Sequence, residues 1–439
     1  MEQHGTTYRK FLLAGILLFL LLPLVQHHLG ICESEKLNGA LVPAQKEWFS
    51  VRSWWSGRYQ EAYEKWFNEN FGFRNDLVRM HNQIAYSVYG KAKANGVVIG
   101  KDGYLFEENY VLTYTGKDFV GMNVVEQNTD KLKQLQDSLE QRGVTLLVCL
   151  AAGKASYFPE FIPDEYGKAA DTTNYQMYAD AMRRKNINLV DCNSWFRQMK
   201  ATAQYPLYPK TGIHWSRYGS MLVLDSLIHY VEKKRNVDMP GIVWEGVEMS
   251  DSLRSPDDDI GLGMNLTWPL QGYAMAYPKY HFEDTTGKAN VKLMTISDSF
   301  FWTMFDINLS PSPFNGVEFY YYNKEVYHTD GRDMSIADIE TTMDDVQGHD
   351  VVMIMGTEAT MFGFGWGFID DAFNHFVAHK MVKSEDRLIR KYESLIRMDE
   401  AWMKAIYIKA DEHQISVDSM IYLDAKFMAD EEMRKAGEQ

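Results

Sequence analysis

The sequence predicts an α/β fold: a mostly parallel sheet between helices, preceded by an N-terminal membrane anchor and followed by a helical C-terminal extension. Three observations carry this expectation. The segments 144–150, 291–296 and 350–355 are short, almost uninterrupted apolar runs separated by polar helical stretches, the pattern of parallel strands covered on both faces. A single long apolar run, 11–25, follows Arg9 and Lys10. After residue 383 the apolar residues return to helical spacing.

The strictly apolar part of the first run is about fifteen residues, short for a spanning helix of ~20 and long for a signal-peptide core. It continues less purely through Gln26, His27, His28 and Leu29 to Ile31, with no Ala-x-Ala-like cleavage site after it. Leu29-Gly30-Ile31-Cys32 is a poor lipoprotein box, because a bulky Ile precedes the Cys. An uncleaved anchor is the expectation, ahead of a signal peptide or lipid anchor and well ahead of a buried helix of a soluble protein. The basic residues before the run leave the N-terminus in the cytoplasm and the rest of the chain outside it.

Residues 45–90 read as helical and aromatic, with Tyr59, Tyr63, Trp66 and Phe67 on one apolar face. The Phe71-Gly72-Phe73 break separates them from a second helix through Leu77, Met80 and Ile84. Segment 96–106 reads as a hairpin around Lys101-Asp102-Gly103. A helix over 130–141 then leads into strand 144–150, and one over 174–184 into strand 187–191. A third, 217–234, follows His214. Near the end, Ser384 can cap a helix whose first turn carries Glu385 and Asp386, both favourable at the positive end of the dipole. Leu388, Tyr392, Leu395, Ile396, Trp402 and Ile406 line its apolar face. A second helix from near Ser416 uses Met420, Leu423 and Phe427. The expected divisions are an anchor or signal segment (1–32), a helical lead-in and hairpin (33–120), the α/β domain (121–383) and the helical extension (384–439).

A formal net charge of −15 and a pI near 5.3 argue against nucleic acid as a partner, since phosphate binding needs a basic face. Three cysteines cannot build a disulfide framework, and Cys149 and Cys192, in or beside strands, read as small buried hydrophobes. No cofactor motif is present. Gly363-Phe-Gly-Trp-Gly367 lacks the spacing of a dinucleotide loop, and Asp257-Asp258-Asp259 lacks the alternation of a calcium loop. Asp371, His375 and His379 would share a helical face as a conceivable metal site, but a solvated helix face explains them better, so no metal is expected.

The chemistry concentrates in two segments, 295–301 (Thr-Ile-Ser-Asp-Ser-Phe-Phe) and 210–219 (Lys-Thr-Gly-Ile-His-Trp-Ser-Arg-Tyr-Gly). Ser299 lies just beyond an apolar strand and before an expected helix, at the carboxyl end where α/β folds place their sites. Amides at that helix N-terminus could stabilise an oxyanion. His214 precedes another helix. A serine hydroxyl is a weak nucleophile until a base takes its proton, and histidine titrates in the range required. Tyr320, Tyr321 and Tyr322 could stack on sugar rings, though a packed strand end is the simpler reading.

These segments resemble the SGNH-hydrolase-like domain of the alginate O-acetyltransferase (AlgJ/AlgX-like) family. Ser297-Asp298-Ser299-Phe300 is similar to the family's Gly-Asp-Ser-Phe block, with Ser297 in place of the Gly. His214-Trp215 with Gly219 is similar to its Asp-x-His-Trp block. Gly100-Lys-Asp-Gly-Tyr-Leu-Phe106 and Gly153-Lys-Ala-Ser-Tyr-Phe-Pro-Glu160 agree in order and spacing, so the likeness covers roughly 95–360. The resemblance implies an SGNH-hydrolase-like α/β domain on the periplasmic side of an inner membrane. It implies acetyl transfer through Ser299 and His214 to a polysaccharide, the acetyl groups arriving through a multi-pass membrane O-acyltransferase. A non-catalytic polysaccharide-binding or scaffolding module and a carbohydrate esterase are the alternatives. One departure matters: the family's acid, two residues before the histidine, is Gly212 here, so the third acid is unknown. Asp298 and the 257–259 loop are open candidates.

Overall fold

The computed structural model describes residues 2–30, 32, 34–39, 44–307, 313–380 and 384–437, in two compact units. The first comprises Met1–Ile99 with Asp259–Gln271, the second Gly100–Asp258 with Gly272–Gln439. In the first unit the apolar run lies in one helix, Glu2–Leu29, of which Arg9–Leu29 is long and apolar enough to cross a membrane. Helices Arg58–Asn70 and Arg74–Tyr89 flank the Phe71-Gly72-Phe73 break as expected. The aromatic face is less buried than the pattern implied. Tyr59, Tyr63 and Phe67 stack on one another, with ring centroids 5.9 and 6.3 Å apart, yet no residue of that helix is fully buried.

The apolar runs of the second unit form a seven-stranded sheet. Its strands are β1 (Thr145–Ala151), β2 (Leu189–Asp191), β3 (Val291–Ser297), β4 (Phe314–Tyr321), β5 (Glu325–His328), β6 (Ser335–Ile336) and β7 (Val351–Thr357). They lie in the order β6-β5-β4-β3-β7-β1-β2. From β4 to β2 every pairing is parallel, whereas β5 and β6 add on antiparallel. Every residue of β1 and β7 is buried, which is why both read as continuous apolar runs rather than alternating ones. On one face Leu146, Val148, Ile296, Val352 and Ile354 join a core with helices Met122–Glu140, Asn174–Arg184, Ile339–Gly348 and Phe368–Phe376. On the other, Cys149 Sγ lies 3.8 Å from Cys192 Sγ at the start of helix Cys192–Met199. The two thiols are therefore mutual neighbours as well as buried hydrophobes.

Several elements differ from expectation. The first helix of the domain begins at Met122 rather than near 130, because Val125 and Thr129 already pack inward with the Thr129 hydroxyl donating back to Val125 O. An unexpected antiparallel pair, Ile242–Ser250 with Met275–Phe282, lies outside the main sheet. The C-terminal extension is three helices among the described residues, not two, since Asp399 caps a new one by accepting from Trp402 N–H. Helix Ser384–Met398 does open at Ser384, whose side chain lies outside what is described. In the last helix Ile421, Ala425 and Ala429 are buried, while Leu423 and Phe427 are 49% and 65% exposed. Met420 is buried as expected, but beyond it the apolar stripe runs through residues adjacent to the ones expected.

Candidate active site

β1 and β3 lie on either side of β7, and their chains leave in opposite directions, making a crevice at the carboxyl ends of the strands. Both sequence-predicted residues lie there. β3 ends at Ser297; Asp298 follows, and its buried carboxylate accepts from four donors. These are Thr357 N–H (2.8 Å), Thr357 Oγ1 (2.9 Å), Thr360 Oγ1 (3.0 Å) and Phe300 N–H (3.1 Å). Burial raises its pKa and these bonds oppose the rise. Asp298 thus laces the end of β3 to the end of β7 and leaves Ser299, half-buried, at the rim. With its oxygens committed in this way, it is a poor partner for His214.

The helix expected after Ser299 is a single 3₁₀ turn, Ser299–Phe301, followed by the four-residue helix Trp302–Phe305. The Phe300 and Phe301 amides both donate to Asp298, so they are not simply presented to a ligand as a long helix N-terminus would present them. A donor the sequence reading assigned to packing lies here instead: the phenol of Tyr322 lies against Ser299. Burial first, and the Asp298 charge second, hold its pKa well above the ordinary range, so it remains protonated. Tyr320, by contrast, is packed at the strand end and bonded to Asp345.

His214 reaches Ser299 directly, with Nε2 2.9 Å from Oγ. Three residues hold its segment. Trp215, fully buried, donates Nε1–H to Thr303 Oγ1 at 2.6 Å, and its ring meets Phe300 edge-on at 5.3 Å. Ser216 caps helix Arg217–Arg235 by accepting from Gly219 N–H at 3.0 Å. Lys154, with no exposed surface, donates to Gly212 O at 2.6 Å and to Lys210 O at 2.8 Å. The Gly153-Lys-Ala-Ser block that carries it is visible in the sequence, but its role is not. At its far end the helix is tied to the start of β7 by Arg235 on Asp350, 2.9 Å.

The metal possibility loses its geometry. Helix Phe368–Phe376 ends before His379, which has a left-handed φ of 50°, and Asp371 pairs with Arg390 at 3.0 Å. Chemically, an imidazole nitrogen on a serine hydroxyl beside a protonated phenol is suited to proton removal and acyl transfer without a cofactor.

Residues 97–241 match the family described as SGNH hydrolase-like domain, acetyltransferase AlgX. The chain is 26% identical over 186 residues to a probable alginate O-acetylase AlgJ of Pseudomonas aeruginosa, covering 42% of this chain and 45% of that protein. It is 20% identical over 179 residues to the AlgJ of Pseudomonas putida, covering 41% and 45%. The chain therefore spans less than half the length of these relatives. Among solved structures, the O-acetyltransferase domain of Pseudomonas putida AlgJ superposes with a TM-score of 0.41 at 15% identity, covering 64% of this chain and 99% of that one. Bacillus cereus PatB1 gives 0.39 at 14%, covering 62% and 99%. The matched region and the AlgJ relatives thus make this part of the chain, which carries His214, similar to AlgJ/AlgX-like SGNH-hydrolase-like proteins.

Proposed function

We propose that the protein O-acetylates a secreted or cell-surface polysaccharide through a serine acyl-enzyme. The observation that carries this reading is the 2.9 Å contact between His214 Nε2 and Ser299 Oγ at the carboxyl end of a parallel sheet. Ser299 Oγ attacks the acetyl carbonyl while His214 Nε2 takes its proton. Tyr322 donates to the developing oxyanion, and the leaving group departs with the proton from His214. A sugar hydroxyl, deprotonated by the same imidazole, then attacks the acetyl-serine and restores Ser299. The names of the AlgJ relatives support a polysaccharide acceptor. The donor in this proposal is a multi-pass membrane O-acyltransferase, and helix Glu2–Leu29 anchors the chain in the inner membrane with the site on the periplasmic side.

The test is mass spectrometry after incubation with p-nitrophenyl acetate. We expect an added acetyl group on Ser299, and none on Ser297 or on Ser310, which lies outside the described residues. A Ser299→Ala chain labelled like the parent would refute the acyl-enzyme. Release of free acetate in the presence of acceptor polysaccharide, with no acetylated sugar, would establish the esterase instead.

A further inference from the structure

The imidazole of His214 engages Ser299 through Nε2, which leaves Nδ1, the ring nitrogen nearer its own backbone, to the group that orients it. The family pattern puts an acid at position 212, where this chain has glycine. The structure shows what occupies that volume. A Cβ on Gly212 would lie 2.7 Å from Pro256 O and 2.8 Å from both C and O of Asp257. The loop between Ile242–Ser250 and Met275–Phe282 has moved in, backbone against backbone, two residues upstream of the histidine.

Asp257 comes with that loop, and none of its surface is exposed. Its position is built rather than incidental. Asp257 N–H donates to Arg254 O (2.9 Å), and Arg254 N–H donates to the Tyr277 hydroxyl (2.8 Å). Arg217, at the start of the helix that follows His214, donates to Ser255 O at 3.3 Å and to Thr303 O at 3.2 Å, joining loop, histidine helix and nucleophile turn. Lys154 fixes Gly212 from the other side. The other buried carboxylates of the crevice have different commitments: Asp298 is held by its four donors, and Glu358 by Ser156 and Asn193.

From this we infer that Asp257 is the acid of the site, reaching the His214 imidazole from a loop distant in sequence and replacing the carboxylate that Gly212 does not supply. It acts through the histidine, as a positioning residue: it selects the tautomer with the proton on Nδ1 and stabilises the imidazolium formed when Ser299 is deprotonated. This rests on the acyl-transfer reading for its rate consequences, but not for the tautomer.

The test therefore measures both, on the full chain. For Asp257→Asn, acetyl transfer from p-nitrophenyl acetate should fall about 10³- to 10⁴-fold in kcat, with KM changed less than about threefold. The acidic limb of the pH–rate profile should move to lower pH, because an imidazole without its carboxylate is less basic. Asp258→Asn should stay within about twofold. Independently, ¹⁵N-histidine NMR of the unmodified protein should show the His214 proton on Nδ1, at low field. That signal should persist in Ser299→Ala and vanish in Ser299→Ala/Asp257→Asn. Its survival in the double variant, or a proton on Nε2 in the unmodified protein, overturns the inference. If Ser299→Ala instead reacts like the parent, the acyl-transfer reading fails while the NMR still decides the place of Asp257. Should Asp257→Asn not fold, the tautomer of the unmodified protein decides it alone.

Discussion

Glu358, the first residue after β7, is buried beneath the crevice, where Ser156 Oγ donates to one oxygen at 2.6 Å and Asn193 to the other. Burial is the larger influence and pushes its pKa up to about 7 despite those bonds. An acid whose folded pKa lies above its unfolded one binds more protons when folded. The resulting stability is present in full below the unfolded value near 4.5 and is lost as pH rises through about 7. The loss amounts to at most about 3 kcal/mol. Glu358→Gln removes the titration, so it should raise the thermal midpoint at pH 8 by several degrees and leave it nearly unchanged at pH 5. Equal effects at both pH values would refute the buried-acid account. Gly212 gives a second expectation. A methyl there meets backbone atoms that cannot swing aside, so Gly212→Ala should cost about 1–3 kcal/mol in urea denaturation. It should also slow acylation of Ser299 by displacing the 256–257 backbone. A neutral Gly212→Ala would mean that the loop yields freely.

At the level of elements, the C-terminal helices bury Ile389, Ile396, Ile406, Met420 and Ile421 among themselves. Their tie to the sheet's helices is ionic: Arg390 reaches Asp371 at 3.0 Å and Asp370 at 3.7 Å, beside a cavity of about 510 Å³ lined in part by Tyr322, Trp366 and Lys391. Arg390→Ala should therefore destabilise the chain by about 1 kcal/mol, because the pair is only partly exposed and Asp371 loses its guanidinium while Asp370 keeps Lys131. An unchanged urea midpoint would show that docking does not depend on this contact. The same elements show what was legible in the sequence. β1 and β7 could be read because burial on both faces leaves continuous apolar runs. The pair Ile242–Ser250 and Met275–Phe282 could not: the first strand has no fully buried residue, so it carries no alternation, and a long loop separates the two. Ser299 and His214 stood out because short motifs carry them. Lys154 stands in such a motif, but nothing in the sequence marks a lysine as buried, and Asp257 is one of three adjacent aspartates that only tertiary packing can distinguish.

For the molecule as a whole, Arg9 and Lys10, within helix Glu2–Leu29 and just ahead of its apolar run, set the expected topology. Alkaline phosphatase fused after Gln439 should be active, and a reporter that works only in the cytoplasm should be silent; the reverse would remove the periplasmic role. The thiols give another whole-chain reading. Cys32 is exposed, whereas Cys149 and Cys192 are buried against each other, and that contact together with burial holds the Cys192 thiol well above its usual range. Native protein should titrate one thiol and denatured, unreduced protein three. One thiol in both states would mean that the buried pair had joined. The close approach of the Asp257 backbone to Gly212 also has a bearing on descent. An aspartate at 212 collides with the backbone of Pro256 and Asp257 whatever side chain stands at 257, and removing the Asp257 carboxylate alone leaves the imidazole without an acid. The two ways of supplying the acid are therefore separate peaks with no single substitution between them. A lineage that has moved the acid to the distant loop is held there by the glycine that made room for it.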